Sequence, residues 1–107
     1  MQPAVPVVVV DRGGLDLSIL DTVADAELHV EAIDVKNQEY DVFDSGGRLM
    51  QFQVEKGVVK LKLVEEKSEH AKQLRHALIA YLKAINSTRL LDDWDLNSLI
   101  SLCRNRR

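Results

Sequence analysis

Residues 40–64 favour one strand register, and that register constrains how the rest of the chain folds. Three β-prone runs, Tyr40 to Phe43, Arg48 to Glu55 and Val58 to Val64, are separated by short turn sequences. A two-residue Lys56-Gly57 turn pairs Val54 with Val59, Phe52 with Leu61 and Met50 with Leu63. All six are apolar and share one face, as a half-buried antiparallel pair requires. The turn before them has two options. A two-residue Gly46-Gly47 loop sets Asp41 against Phe52 on the core face. A three-residue Ser45-Gly46-Gly47 loop sets Val42 against Met50 and Tyr40 against Phe52, and supplies a glycine for the left-handed bulge position. The longer loop is the better solution. It sends Glu39, Asp41, Phe43, Leu49, Gln51, Gln53, Glu55, Lys60 and Lys62 to the other face, which becomes polar with Phe43 as its exposed aromatic.

The flanking segments are read from the same signals. Val5 to Val10 is a β-branched run, and Pro6 demotes its first half to an edge position. Asp11-Arg12-Gly13-Gly14 is a turn, and Leu15, Leu17 and Ile19 alternate with polar residues as a second strand, so the two form a hairpin. Asp21 is the expected N-cap of a short helix over residues 22–32. Ser68 is the expected cap of the main helix, residues 69–85. There Ala71, Leu74, Leu78, Tyr81, Leu82 and Ile85 make a core-facing stripe. Asn86-Ser87-Thr88 ends it. A last helix starts near Asp92 or Asp95 and runs to about Arg104. The expected fold is α+β: an antiparallel sheet of about five strands in two hairpin or meander units. A main helix and two shorter helices pack on one face. Residues 1–107 are read as one domain with a frayed tail at 104–107.

Cys103 is the only cysteine, so no intrachain disulfide forms and the fold owes nothing to an oxidising compartment. The run Val7 to Val10 is too short for a signal-peptide core, and no stretch approaches the roughly 20 apolar residues of a membrane helix. A cytoplasmic protein is the default expectation.

Few residues suggest chemistry. His29, His70 and His76 lack any zinc-ligand spacing and read as structural or solvated. Ser45 lies in a glycine turn without a nucleophile-elbow pattern, and Cys103 sits on an apolar helix stripe as an inert thiol. Both glycine pairs lead into strands, which removes the helix-dipole argument for phosphate binding. No cofactor or metal is expected.

Charge is more informative. Residues 1–47 hold ten acids and two bases, whereas residues 48–107 hold twelve bases and seven acids. Partners respond to such local fields rather than to net charge. Asp21, Asp25, Glu27, Glu31 and Asp34 crowd one helix and its exit. They read as a solvated face or as a docking surface for a basic protein; their spacing does not match a calcium loop. With a pI near 5.5 and no aromatic interleaving of its basic tail, the chain does not read as a nucleic-acid binder.

The segments Val23-Ala-Asp-Ala-Glu27, Glu31-Ala-Ile-Asp-Val35, Glu39-Tyr40 and Asp44-x-Gly-Gly-Arg-Leu49 resemble a pattern in small bacterial proteins. Some of these are immunity-protein-like, meaning stoichiometric inhibitors that protect a cell from a toxin. The resemblance implies a bacterial cytoplasmic binding protein and brings no catalytic residues.

The expected function is therefore a non-enzymatic protein-binding module, with immunity-type inhibition of a basic toxin or effector as its specific form. Asp21, Asp25, Glu27, Glu31, Asp34, Glu39, Asp41 and Phe43 are its expected partner-binding residues. The alternative is a homodimeric structural or regulatory protein, joined through the Val5–Val10 edge or the last helix. A third reading is a small enzyme built on Glu39, Asp41 and Asp44, whose carboxylates would split their pKa values for acid–base work.

Overall fold

A computed structural model describes residues 2–12, 16–85 and 93–105. In chain order the elements are β1 (Val7–Asp11), β2 (Leu17–Leu20), α1 (Val23–His29), α2 (Ala32–Lys36), β3 (Tyr40–Phe43), β4 (Leu49–Glu55), β5 (Val58–Leu63), α3 (Ala71–Ala84) and α4 (Leu96–Asn105). The five strands form one antiparallel sheet in the order β2-β1-β3-β4-β5. The α+β class and the five-stranded antiparallel sheet are those expected from the sequence.

The register is also the expected one. Val42 faces Met50 across β3 and β4, and β5 sets Leu63, Leu61 and Val59 against Met50, Phe52 and Val54. Lys56 and Gly57 both adopt positive φ, 51° and 80°, which is the geometry a two-residue hairpin turn demands. Gly47 takes the left-handed position at φ 86°. One expected pair does not form. The β3–β4 ladder ends at Val42 and Met50, so Tyr40 and Phe52 meet only as rings, edge-to-face at 6.0 Å.

The helices divide between the two faces instead of sharing one. One face carries Val8, Leu17, Ile19 and Phe43 under Leu74, Leu78 and Leu82 of α3 and Leu99, Ile100 and Cys103 of α4. The other carries Val7, Val9, Val42, Met50, Phe52 and Leu61 under Ala26 and Val30. Phe43 is therefore 1% exposed, not a surface aromatic. Strand alternation assigns a residue to a face but cannot say whether a helix covers that face. The unbroken run Val7–Val10 was the available signal, because a strand buried on both sides reads as continuously apolar. The polar face survives only over β4 and β5, where Gln51, Gln53, Lys60 and Lys62 remain exposed.

The same arrangement moves β1 to the inside of the sheet, paired with β2 and β3. The Val5–Val10 edge is thus occupied within the chain. The apolar stripe of α4 is likewise spent on the core. Burial pushes the Cys103 thiol up to about 11, in keeping with an unreactive side chain.

Helix boundaries follow local hydrogen bonding. Thr22, not Asp21, caps α1 by accepting from the Asp25 N–H at 3.0 Å. The expected 22–32 helix breaks at Val30 and Glu31, which are extended. At about 100° per residue a continuous helix would turn Val35 roughly half a turn away from Ala26. The break lets both sides of the unit reach the sheet. Ser68 does not cap α3. The His70 N–H, which such a cap would serve, donates instead to the Gly47 carbonyl at 3.1 Å, and α3 starts at Ala71. Asp95 caps α4 through the Ser98 N–H at 2.8 Å, and this bond holds its carboxyl below the usual range. Arg104, placed in the frayed tail by the sequence, is helical and pairs with Asp21 at 2.5 Å. Gly13-Gly14, Leu15, Asn86-Ser87-Thr88, Asp92 and Arg106-Arg107 lie outside the described residues.

The turn at 44–48 joins three parts of the fold. Asp44 is fully buried. Its Oδ1 accepts from the N–H groups of Gly46 (3.0 Å) and Arg48 (2.9 Å), and its Oδ2 from Arg48 Nε (2.7 Å) and the Ala4 N–H (3.1 Å). Arg48 continues to the Gln2 carbonyl, and Ser45 bonds the carbonyls of Ala4 and Val5. Next to it, Glu65 accepts from the Leu49 N–H at 2.6 Å and meets His70 Nδ1 at 2.9 Å. Burial opposes ionisation of Glu65, but these hydrogen bonds outweigh it and hold the carboxyl below its usual range.

Three substitutions test this architecture by urea denaturation. A Cβ on Gly47 would lie 2.4 Å from the Ala71 Cα, while one on Gly57 meets nothing within 4 Å. Gly57→Ala should cost only the left-handed penalty of about 1–2 kcal/mol, and Gly47→Ala clearly more, because backbone must move. Phe43→Ala should cost about 3–5 kcal/mol if Phe43 is core, and next to nothing if it is a surface residue.

Candidate functional site

The eight residues expected to bind a partner do not form one surface. Phe43 is core. Glu27 turns inward, and its Oε2 accepts the Leu61 N–H at 2.8 Å. That bond satisfies a backbone donor on the outer edge of β5, so Glu27 guards an edge rather than a partner. Asp21 pairs with Arg104, and Asp41 pairs with Arg12 at 2.8 Å. Asp34 accepts from the Tyr40 hydroxyl at 3.4 Å. Asp25 and Glu31 are exposed, and among the described residues no hydrogen bond or ion pair engages their side chains.

Sequence reasoning missed two residues beside them. Leu28 is 86% exposed and Ile33 63% exposed, on the outside of α1 and α2. Leu28 was legible in principle. It lies about 200° around the helix from Ala26, which faces the sheet. Ile33 became visible only with the break that starts α2. Asp25, Leu28, Glu31 and Ile33 thus alternate acid and apolar along the exposed α1–α2 segment.

A second feature lies where β3 and β4 part. A cleft of about 430 Å³ opens there, with Tyr40, Met50 and Phe52 among its apolar walls and Arg12, Lys36 and Asp41 among its polar ones. Its walls draw on both faces of the sheet, as expected for an opening between separating strands. Tyr40 joins the cleft to an acidic group. Contact with Asp34 raises the Glu39 carboxyl above its usual range, by hydrogen bonding first and repulsion second, and Asp11 adds to this. Desolvation, then the Asp34 charge, raises the Tyr40 hydroxyl. A smaller recess of about 130 Å³ behind Tyr40 is lined by Asp11, Asp16, Ser18 and His29.

The three carboxylates of the enzyme reading engage separate partners: Asp44 its buried turn, Asp41 Arg12, and Glu39 Asp34. No group of three or more histidine, cysteine or carboxylate side chains among the described residues is arranged to hold a metal ion. No helix among them is long and apolar enough to cross a membrane. No protein-family model matches the chain, and no curated protein or solved structure does either.

The Glu39–Asp34 contact carries a pH signature. A carboxyl whose folded pKa is raised favours the fold below its unfolded pKa, and that contribution is lost as pH rises through the folded value. Glu39→Gln should therefore match the parent in thermal stability at low pH and exceed it increasingly above the ordinary carboxylate range. A melting-temperature difference that stays flat between pH 3 and pH 7 would rule the contact out.

Proposed function

We propose that this chain is a non-enzymatic protein-binding module whose α1–α2 surface docks a basic partner. Its specific form is an immunity-type stoichiometric inhibitor of a basic bacterial toxin or effector. The observation that carries the reading is the exposure of Leu28 and Ile33 beside Asp25 and Glu31. Burying a large aliphatic side chain contributes about 1.5–3 kcal/mol, so two of them close together in the chain on one exposed segment offer a partner apolar area to cover. Flanking carboxylates steer a basic surface and disfavour neutral or acidic competitors. The same acids oppose self-association through this face, since a two-fold contact would set like charges together. Occlusion is the mechanism this surface supports. A bound partner loses access to whatever part of it meets α1 and α2.

The surface can be altered without unfolding the protein, because substitutions at exposed positions usually change stability by less than about 0.5 kcal/mol. Tagged protein should capture one basic partner at one-to-one stoichiometry from lysate of its source organism. Leu28→Ser with Ile33→Ser should abolish capture at all salt concentrations. Asp25→Lys with Glu31→Lys should weaken it most at low salt, where charge steering is strongest. Capture that is unchanged in both double variants would refute the docking surface.

A further inference from the structure

The chain ahead of Val42 leaves β4 to follow β1. The Arg12 N–H donates to the Glu39 carbonyl at 2.8 Å, and the β3–β4 ladder holds only Val42↔Met50 and Phe43↔Leu49. The opening left between the strands is the 430 Å³ cleft, with Val35 and Lys36 of α2 among its walls. Strand alternation sorts the other walls by face. Tyr40, Met50 and Phe52 lie on the face that α2 covers, packed in one cluster with Val35. Asp41 is one position along β3 and faces the other side. There its Oδ1 accepts from Arg12 Nε at 2.9 Å and meets Nη2 at 2.8 Å. On the α2 side the cleft is therefore apolar, and Lys36 is the charged wall. No ion pair engages Lys36 among the described residues. Asp34 accepts from the Tyr40 hydroxyl at 3.4 Å, and neither it nor Glu39 is a wall of the cleft.

We propose that this cleft binds a small amphipathic carboxylate, with its apolar body against Tyr40, Met50 and Phe52 and its carboxylate on Lys36 Nζ. Size, lining and charge each select for that class. Clefts of roughly 300–1,000 Å³ with mostly apolar walls and a few polar groups are the usual form of a small-molecule site. At roughly the 30 Å³ that a water takes in the liquid, 430 Å³ holds about a dozen such units. That is the size of a phenyl or branched alkyl body with a short acid arm. Met50 and Phe52 are already 3% and 9% exposed, so these walls are in place before a ligand arrives and little ordering opposes binding. Arg12 is neutralised by Asp41, which leaves one ammonium to answer one carboxylate. A phosphate, which recruits several donors, would leave charge unanswered. A cationic ligand meets like charge at Lys36, and Asp41 does not offset this because it faces the other side and holds Arg12. The site uses neither Leu28 nor Ile33, so it stands or falls separately from the α1–α2 docking surface.

The test uses the full ¹⁵N-labelled chain at neutral pH and three probes that share one body: 4-phenylbutyrate, 4-phenylbutanol and 4-phenylbutylamine. Titration followed by amide shifts should place 4-phenylbutyrate at Val35, Lys36, Tyr40, Met50 and Phe52. An exposed charge pair is worth at most about a factor of five. The acid should therefore bind about three- to fivefold tighter than the alcohol and about tenfold tighter than the amine. Lys36→Gln should bring acid and alcohol level, and Lys36→Glu should set the amine ahead of the acid. Both substitutions fall at an exposed position and leave the fold intact. Leu28→Ser with Ile33→Ser should change none of these affinities. Equal affinity for all three probes, an acid preference that survives Lys36→Glu, or shifts centred on Lys60 and Lys62 would overturn the proposal. So would the absence of saturable shifts from every probe at millimolar concentration.

Discussion

A carboxylate with no exposure to water holds the fold's most demanding position. Moving an ion from water into a protein interior costs several kcal/mol even after relaxation, so Asp44 is tolerable only because four donors converge on it. Those donors come from the N-terminal strap, the 44–48 turn and Arg48. Any local change that removes one of them leaves a buried charge short of a partner, at a cost of about 3–5 kcal/mol if the ion pair itself is broken. The turn is thereby fixed, and with it the register of β3 and β4. Gly47 presses against Ala71, and the Gly47 carbonyl accepts from His70, so the start of α3 is located by the same turn. One buried acid thus sets the sheet register and the placement of the main helix.

That lock acts at one end only. Two residue pairs beyond the turn the strands separate, because the chain ahead of β3 follows β1 instead: the Arg12 N–H donates to the Glu39 carbonyl at 2.8 Å. β4 must then choose one partner and stays with β5. The fold manages its other exposed strand edge differently. On β5 the Leu61 N–H is answered by Glu27, and Lys60 and Lys62 flank it, which discourages pairing with another chain.

How much of this was legible depends on the range of the interaction. Strand turns and stripes read cleanly: the two hairpin turns, the Val42↔Met50 register and the α3 stripe follow from residues within a few positions of each other. Helix caps did not, since Thr22 and His70 stand where Asp21 and Ser68 were expected, and Asp92 and Asp95 were equal choices for α4. Long-range choices did not. Phe43 looked exposed because its strand alternates correctly, and only α3 and α4, distant in sequence, bury it. Pro6 suggested an edge, but β3 closes over β1 from thirty residues away. Glu27 looked like a free acid because nothing local reveals that a β5 N–H lies beside it. The candidate surface suffered most, since exposure and pairing are properties of the assembled fold.

The charge split shows why. The sequence sets an acidic first half against a basic second half, but folding pairs across that divide: Asp21 with Arg104, and Asp44 with Arg48. Arg12 neutralises Asp41 within the acidic half itself. The exposed Asp21–Arg104 and Asp41–Arg12 pairs contribute about 0–1 kcal/mol to stability, yet each removes its carboxylate from the field a partner sees. Glu27 and Asp34 are drawn into internal hydrogen bonds. The polarity of the sequence is therefore not the polarity of the surface. Acids that keep their full outward field matter only where something else favours contact. Asp25 and Glu31 meet that condition because Leu28 and Ile33 lie beside them, and an apolar side chain in water gains on burial whatever the salt. In the proposed docking, charge would select among encounters there and the two aliphatic side chains would hold the partner.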